Sequence, residues 1–292
     1  MNRQFIRLKA ILWMVALAML TFVNHAHARV TCSISSTGFS TAYGSALNVT
    51  AASFTVTCTA NPGGGTATYQ VAVDNGLNFS GTQNRAAAGA NMLNYFLASD
   101  SGCTSAWKGT AYIPATPYTT QNFLAAGTET KTFSYYGCVP AGLAVPAAGT
   151  YSDTVTMSII PGGTAFTGGT FAVSITAPAT CSFSTQPGNI DFNYTSFGAA
   201  ALANTFFVTN CSNLLPYTMA LDATSGTIVG LNYTLALNTT PDSGGTSPLT
   251  SRGTAAGAQT FYINGSIAAG QAGTCATGTC SGSETHTLTI TY

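Results

Sequence analysis

The sequence predicts an all-β protein of two tandem sandwich domains behind an export signal. Past the first residues no segment carries helical periodicity of useful length. Short runs rich in Val, Ile, Thr, Tyr and Phe instead alternate between turn residues. Eight cysteines divide four and four: Cys32, Cys58, Cys103 and Cys138, then Cys181, Cys211, Cys275 and Cys280. The second half echoes the first in order, and 292 residues suit two domains of ordinary sandwich size.

The leading residues read as a targeting segment. Arg3, Arg7 and Lys9 precede an apolar run from Ala10 to Val23, too short to span a bilayer with ease. Ala26-His27-Ala28 then places small residues at the two positions a signal peptidase reads. Residues 1–28 are expected to be removed, leaving Arg29 first. Arg29, Arg85, Lys108, Lys131 and Arg252 then face eight acids, a balance of −3. Charged residues are 5% of the chain, against about 25% in ordinary domains. No basic surface forms to hold phosphates, which excludes nucleic acid as a partner and tight binding to anionic lipid. An even number of cysteines in an exported chain implies disulfides.

Strands are expected at Ser53–Cys58, Thr68–Val73, Met92–Leu97, Lys131–Tyr136 and Tyr151–Ile160, from alternation and β-rich composition. Asp74-Asn75-Gly76 is a hairpin signal, since Asn and Gly tolerate positive φ. Pro62–Gly65 and Pro161–Gly163 mark loops. Between the halves lies Thr164–Pro178, TAFTGGTFAVSITAP, in which Phe171, Val173 and Ile175 fall on one side and Ala172, Ser174 and Thr176 on the other. This strand has no counterpart after the second half. It is expected to complete the first domain, 29–178, while the second, 179–292, lacks its equivalent.

The repeat is read from five echoes: CSIS at Cys32 and CSFS at Cys181; FTVTC ending at Cys58 and FFVTNC ending at Cys211; Leu93-Asn94-Tyr95 and Leu231-Asn232-Tyr233; Thr132-Phe133 and Thr260-Phe261; DTVTMSI from Asp153 and HTLTITY from His286. This pairing makes Asp153 the counterpart of His286. Two domains with four cysteines each leave about nine pairings. Repeat equivalence selects Cys32–Cys58 and Cys181–Cys211, each contributing about 2–4 kcal/mol, and leaves Cys103–Cys138 and Cys275–Cys280 as loop braces.

Cys32, the second Cys closing FTVTC, an Arg before LNYFLASD, and the run Tyr136-Gly137 through Pro140-Ala141-Gly142 to Gly149-Thr150-Tyr151-Ser152-Asp153-Thr154-Val155 resemble the spore coat U domain of Csu-type, archaic chaperone–usher pilus subunits. Gly149, Tyr151, Asp153 and Thr154 lie in its most specific part. The likeness covers nearly all of Cys32–Ile160. Over Cys181–Tyr292 it rests on Gly265, Ala269-Gly270-Gln271 and the terminal LTITY, and Ser283–His286 departs from the family's Tyr and Asp. The resemblance implies immunoglobulin-like, pilin-type β-sandwiches and passage through the periplasm to the cell surface. It also implies three partners: a periplasmic chaperone, an outer-membrane usher and the N-terminal donor strand of the next subunit.

Chemistry is sparse. His286, the one histidine past the signal, has no serine or cysteine assigned to it, and the acids are scattered singly from Asp74 to Glu284. A hydroxyl nucleophile needs a base and an orienting group, and a glycosidase needs two facing carboxylates. No catalytic, cofactor or metal site is expected. Cys275–Cys280, with four residues between, reads as a small disulfide loop rather than half a zinc site.

The expected function is that of a pilus subunit, a tip adhesin for surface attachment and biofilm formation. The alternatives are a structural pilus or coat subunit, or a secreted carbohydrate-binding or hydrolytic sandwich protein. With cleavage after Ala28, only Arg29, Val30 and Thr31 precede Cys32, and at about 3.3 Å per residue they cannot act as a donor strand. A subunit that accepts but does not donate ends the polymer. Its acceptor groove is expected beside Leu288, Ile290 and Tyr292. Adhesive loops are expected at Ala86–Met92, in the Trp107–Phe123 region with Tyr112, Ile113, Pro114 and Tyr118, and at Leu143–Pro146, because a charge-poor domain binds through apolar side chains. The surface or receptor they meet is not legible in the sequence.

Overall fold

The computed structural model describes residues 30–44, 46–144, 146–160, 166–276 and 278–292. The expected signal 1–28, Arg29, Val145 within the Leu143–Pro146 loop, the Pro161–Gly163 loop, and Thr164 and Ala165 of the expected bridging strand lie outside the described residues.

All regular structure among the described residues is β, in two sheet bodies with separate cores. The first holds β1 (Val30–Ser36), β2 (Phe39–Ala42), β3 (Asn48–Ala60), β4 (Thr68–Val73), β5 (Asn84–Ala88), β6 (Asn91–Ala98), β7 (Ile113–Thr119), β8 (Gly127–Val139), β9 (Gly149–Ile160), β10 (Phe166–Thr167) and β11 (Gly169–Ala177). The hydrogen-bonded path runs β10-β1-β3-β8-β6-β5-β9-β11-β2, with β4 joining β9 to β7. The inward residues alternate with outward ones, as a strand's period of two requires. Trp107, Tyr69, Tyr95, Tyr135, Tyr151 and Phe54 are each less than 2% exposed in the common core.

The second body holds β12 (Cys181–Thr185), β13 (Ala201–Cys211), β14 (Pro216–Leu221), β15 (Ser225–Ile228), β16 (Leu231–Asn238), β17 (Leu249–Arg252), β18 (Ala258–Ile267) and β19 (Leu288–Thr291). They form two sheets, β12-β13-β18-β16-β15 and β17-β14-β19, over a core of Phe207, Met219, Leu237 and Phe261. Disulfides join Cys32 to Cys58, Cys103 to Cys138, Cys181 to Cys211 and Cys275 to Cys280.

Few charges are needed to keep the outer faces wet, because hydroxyls take their place. Across β3 and β8, Thr55 pairs with Thr132, Thr57 with Thr130 and Thr59 with Thr128, at 3.1, 3.4 and 3.3 Å. Such directly opposed threonines stabilise a strand pair. They also lengthen it: β3 and β8 each run 13 residues, well past the apolar stretches legible in the sequence.

Two local expectations change. Asp74-Asn75-Gly76 does not close a hairpin, since β4 pairs with β7 and β9 and not with β5. Asp74 Oδ1 instead accepts from Gly76 N at 2.9 Å, an Asx turn that heads a loop. A Cβ on Gly76 would stand 2.1 Å from Asp153 Oδ2, so the loop approaches that carboxylate only with glycine there. Ile113–Thr119, expected as loop, is strand β7. It carries Pro114 and Pro117 and pairs with β4 alone, the edge placement that proline tolerates.

Candidate functional site

The two bodies differ most at one slot. In the first, β11 lies antiparallel to β9 and parallel to β2, with Phe171 opposite Val155, Val173 opposite Asp153 and Ile175 opposite Tyr151. Phe171, Val173 and Ile175 are 3%, 0% and 0% exposed. Of the expected segment 164–178, the strand that fills the slot is Gly169–Ala177. Burying its three anchors contributes about 5–8 kcal/mol, an upper figure at about 1.5–3 per side chain.

The residues under β11 are fixed by polar bonds. Tyr151 donates its hydroxyl to Ala147 O at 2.8 Å, anchoring the start of β9. Asp153, nearly fully buried, accepts from Tyr95 Oη at 2.7 Å, from Leu77 N and Thr154 N at 2.9 Å each, and from Asn78 Nδ2 at 3.4 Å. Four donors are what a buried carboxylate requires in place of water. Burial, then the Asp153 bond, pushes the Tyr95 phenol far up. Gly149 and Thr154 flank these two anchors on β9.

In the second body β19, the counterpart of β9, pairs with β14 alone among the described residues. Asp74 N donates to Thr156 O, and Asp222 N to Thr287 O; Val73 pairs with Met157, and Leu221 with Leu288. These bonds make Leu288 the equivalent of Met157, Ile290 of Ile159, and Glu284 of Asp153. The sequence pairing of His286 with Asp153 is therefore two residues out. A Thr-rich alternating strand matches itself at any even shift, so only the neighbouring strand fixes the register. His286 stands where the first body has Val155.

A cavity of about 440 Å³ lies between Pro187–Phe192 and Gly282–Leu288, with Leu221, Leu235 and Ile263 in its lining. Its walls correspond to those around β11. A Cβ on Gly137 would stand 2.5 Å from the Phe39 ring, and one on Gly265 would stand 2.4 Å from the Phe192 ring. The stretch through Ile190 and Phe192 thus takes the place of β2. On the other side, Ser281–Thr287 pairs with no strand among the described residues, and neither does the outer edge of β19. Leu288 lines the cavity, Ile290 is half-buried against the core, and Tyr292 is 59% exposed and outside the cavity lining.

Polar groups gather at one end of this slot. His286 Nδ1 stands 2.9 Å from Asp222 Oδ1, and its Nε2 stands 2.5 Å from Tyr233 Oη. Tyr233 Oη donates to Glu284 Oε2 at 2.5 Å, the counterpart of Tyr95 and Asp153. The hydrogen bond from His286 holds the Asp222 carboxyl below the usual carboxylate range. Burial and the neighbouring Glu284 push the Tyr233 phenol up to about 12. Sequence reading leaves His286 without partners, because Asp222, just after β14, and Tyr233, on β16, lie more than fifty residues away.

The expected adhesive residues scatter. Trp107 is 1% exposed, its Nε1 donates to Val71 O at 3.0 Å, and its ring stacks on Phe54. Ile113 is also buried. Both belong to the core, which corrects their reading as contact residues. Tyr112 is half-exposed beside them, Tyr118 packs on Tyr69 and Phe133, and Leu143 packs partly against the core. Leu143 follows the end of β8, and the Ala86–Met92 hairpin turns at the same end, where β11 leaves for the second body. Met92 is exposed there, while Ala86 is buried.

At the opposite end of the first body, the loops after β3 and β7 are tied together by Gly63 N to Leu124 O and Phe123 N to Gly65 O. Buried Phe123 anchors the pair and leaves Leu124 80% exposed. Sequence reading passed over Leu124; its only signal was an apolar pair, Phe123-Leu124, within a polar turn.

A sequence profile of the Spore Coat Protein U domain matches residues 18–158. No curated protein sequence matches the chain. Among solved structures, the chain is similar to one in the CsuC–CsuE chaperone–tip adhesion subunit pre-assembly complex of Acinetobacter baumannii. The identity is 14%, over 89% of this chain and 99% of that one, with a TM-score of 0.41. It is also similar to the CupB6 tip adhesin of Pseudomonas aeruginosa, at 12% identity over 90% and 96% of the two chains, with a TM-score of 0.40. The CfaE adhesive subunit of the CFA/I fimbria of enterotoxigenic Escherichia coli is 10% identical over 84% and 78%, with a TM-score of 0.25.

Proposed function

We propose that the protein, whose residues 18–158 match the Spore Coat Protein U domain, is a chaperone–usher pilus subunit that sits at the tip and attaches the pilus to a surface. Its role is non-enzymatic. The domain boundary lies at the linker after Pro178, so that 29–178 is a self-completed adhesive domain and 179–292 a pilin domain.

What supports this reading is β11 seated on β9 in the first body and, in the second, the cavity beside Leu288, where β19 pairs with β14 alone among the described residues. An open slot with one unpaired wall and an apolar floor fits β-strand addition. In that mode main-chain bonds give affinity and alternate side chains give specificity. A periodic strand from a periplasmic chaperone fills the slot first, and the N-terminal strand of the next subunit replaces it at the usher. The end of the first body farthest from the linker, with Leu124 at its apex, then faces the surface.

The test is periplasmic expression with and without a co-expressed archaic-type pilus chaperone. A stable one-to-one complex is expected for the wild-type chain, and its loss for Leu288→Asp, whose charge desolvates in the slot. A chain that accumulates as a soluble monomer without chaperone, and binds none, overturns the reading.

A further inference from the structure

The polar cluster at the end of the open slot has more acceptors than hydrogens unless it holds an extra proton. Ionised Asp222 and Glu284 only accept, and the Tyr233 hydroxyl carries a single hydrogen. That hydrogen goes to Glu284 Oε2 at 2.5 Å. The contact of Tyr233 Oη with His286 Nε2, at 2.5 Å, then needs a hydrogen on Nε2. The contact of His286 Nδ1 with Asp222 Oδ1, at 2.9 Å, needs one on Nδ1. All three bonds are made together only when the imidazole carries both hydrogens. A neutral ring that keeps its bond to Asp222 takes the Tyr233 hydrogen for itself, which breaks the Tyr233–Glu284 tie and leaves the exposed Glu284 carboxylate to water.

The first body shows what is replaced. There Asp153 has four donors, three of them from the Leu77–Asn78 loop and Tyr95, and needs no added proton. In the second body the chain passes from Leu221 to β15 in three residues, and that donor loop has no counterpart. Glu284 and His286 both lie on Ser281–Thr287, the wall segment that pairs with no strand among the described residues, whereas Asp222 and Tyr233 lie on the body of the fold. Their bonds tie the wall to the body. The titratable groups around His286 are Asp222 after β14, Tyr233 on β16 and Glu284 on its own segment; Asp191 lines the opposite wall of the cavity, whose lining includes no Lys or Arg.

We infer that Asp222, Tyr233, Glu284 and His286 form a proton-dependent clip that holds Ser281–Thr287 as a wall of the open slot, so that the slot is best formed when His286 is protonated. The proton comes from solvent and returns to it. That this slot receives a strand rests on the function proposed above; the clip itself does not.

The experiment uses the exported, processed protein, in which His286 is the one histidine if cleavage follows Ala28. Imidazole ¹⁵N shifts are followed through about pH 5 to 8, where histidine titrates. Amide exchange of Asp222, whose N–H bonds Thr287 O on the wall segment, corrected for its intrinsic pH dependence, is measured alongside. Protection is expected to fall about tenfold or more as His286 loses its proton. Glu284→Gln is expected to move both transitions together to lower pH, because a charge favouring the imidazolium is gone. His286→Val, the residue at this place in the first body, is expected to remove the pH dependence. Exchange that ignores the His286 titration, or that keeps its pH dependence in His286→Val, overturns the clip. A synthetic TFAVSITA peptide, the sequence of Thr170–Ala177, separates the two readings. Binding that tightens below the His286 midpoint supports both. No binding at any pH, with exchange still following His286, leaves the clip standing and removes the strand-accepting role.

Discussion

Tyr95 donates its hydroxyl to buried Asp153 across 2.7 Å, and the two lie 58 residues apart, on β6 and β9. The bond ties the middle of the first body to the strand against which β11 packs. A hydrogen bond to a charged acceptor is worth about 1.5–3 kcal/mol. Tyr95→Phe is therefore expected to lower the unfolding free energy by about that amount while leaving the ring packing in place. Urea unfolding of the first domain measures it, and an unchanged midpoint removes Asp153 as an anchor.

Phe171 is expected to be the most sensitive position on the completing strand. Phe171→Ala leaves a cavity beside Tyr135, whose ring centroid is 5.4 Å away, and such truncations cost about 3–5 kcal/mol. The same logic makes Arg29–Pro178 soluble on its own and Arg29–Ile160 aggregation-prone. Periplasmic yields of the two fragments decide this; equal stability would reduce β11 to a linker.

Leu124 and Trp107 separate surface from core. Leu124→Ser is expected to reduce attachment of piliated cells while changing stability by less than about 0.5 kcal/mol, as exposed sites usually do. Trp107→Ser loses a stacked, buried ring and is expected to fail in folding and export, at about 3–5 kcal/mol. Attachment assays paired with thermal melts check both. Unaltered attachment by Leu124→Ser moves the contact surface elsewhere.

Asp100 gives a pH signature in a turn. The backbone N–H groups of Ser105 and Thr104 hold its carboxyl down to about 2. A depressed carboxylate contributes stability that is present above its unfolded value near 4 and is lost as pH falls toward 2. Amides of Thr104 and Ser105 are expected to lose protection in that window, and Asp100→Asn to abolish the transition. Protection that persists in the wild type at pH 2 counts against it.

The sequence alone determined the all-β class, the two-body organisation and the anchors of β11, because alternation and composition are local quantities that a strand's two-residue period makes visible. The residues of the Gly149–Val155 run were legible as a motif, though not the donors that Asp153 collects. What only tertiary structure decided depends on which strands become neighbours. A Thr-rich alternating strand matches its repeat at several even shifts, and pairing of β14 with β19 was needed to set Glu284, not His286, against Asp153. An apolar residue between turn signals reads the same whether it faces solvent or core, so Trp107 and Ile113 could not be told from Leu124 until packing buried the first two. The cluster around His286 joins residues from three separated segments, and no local pattern records a meeting that long-range strand pairing creates.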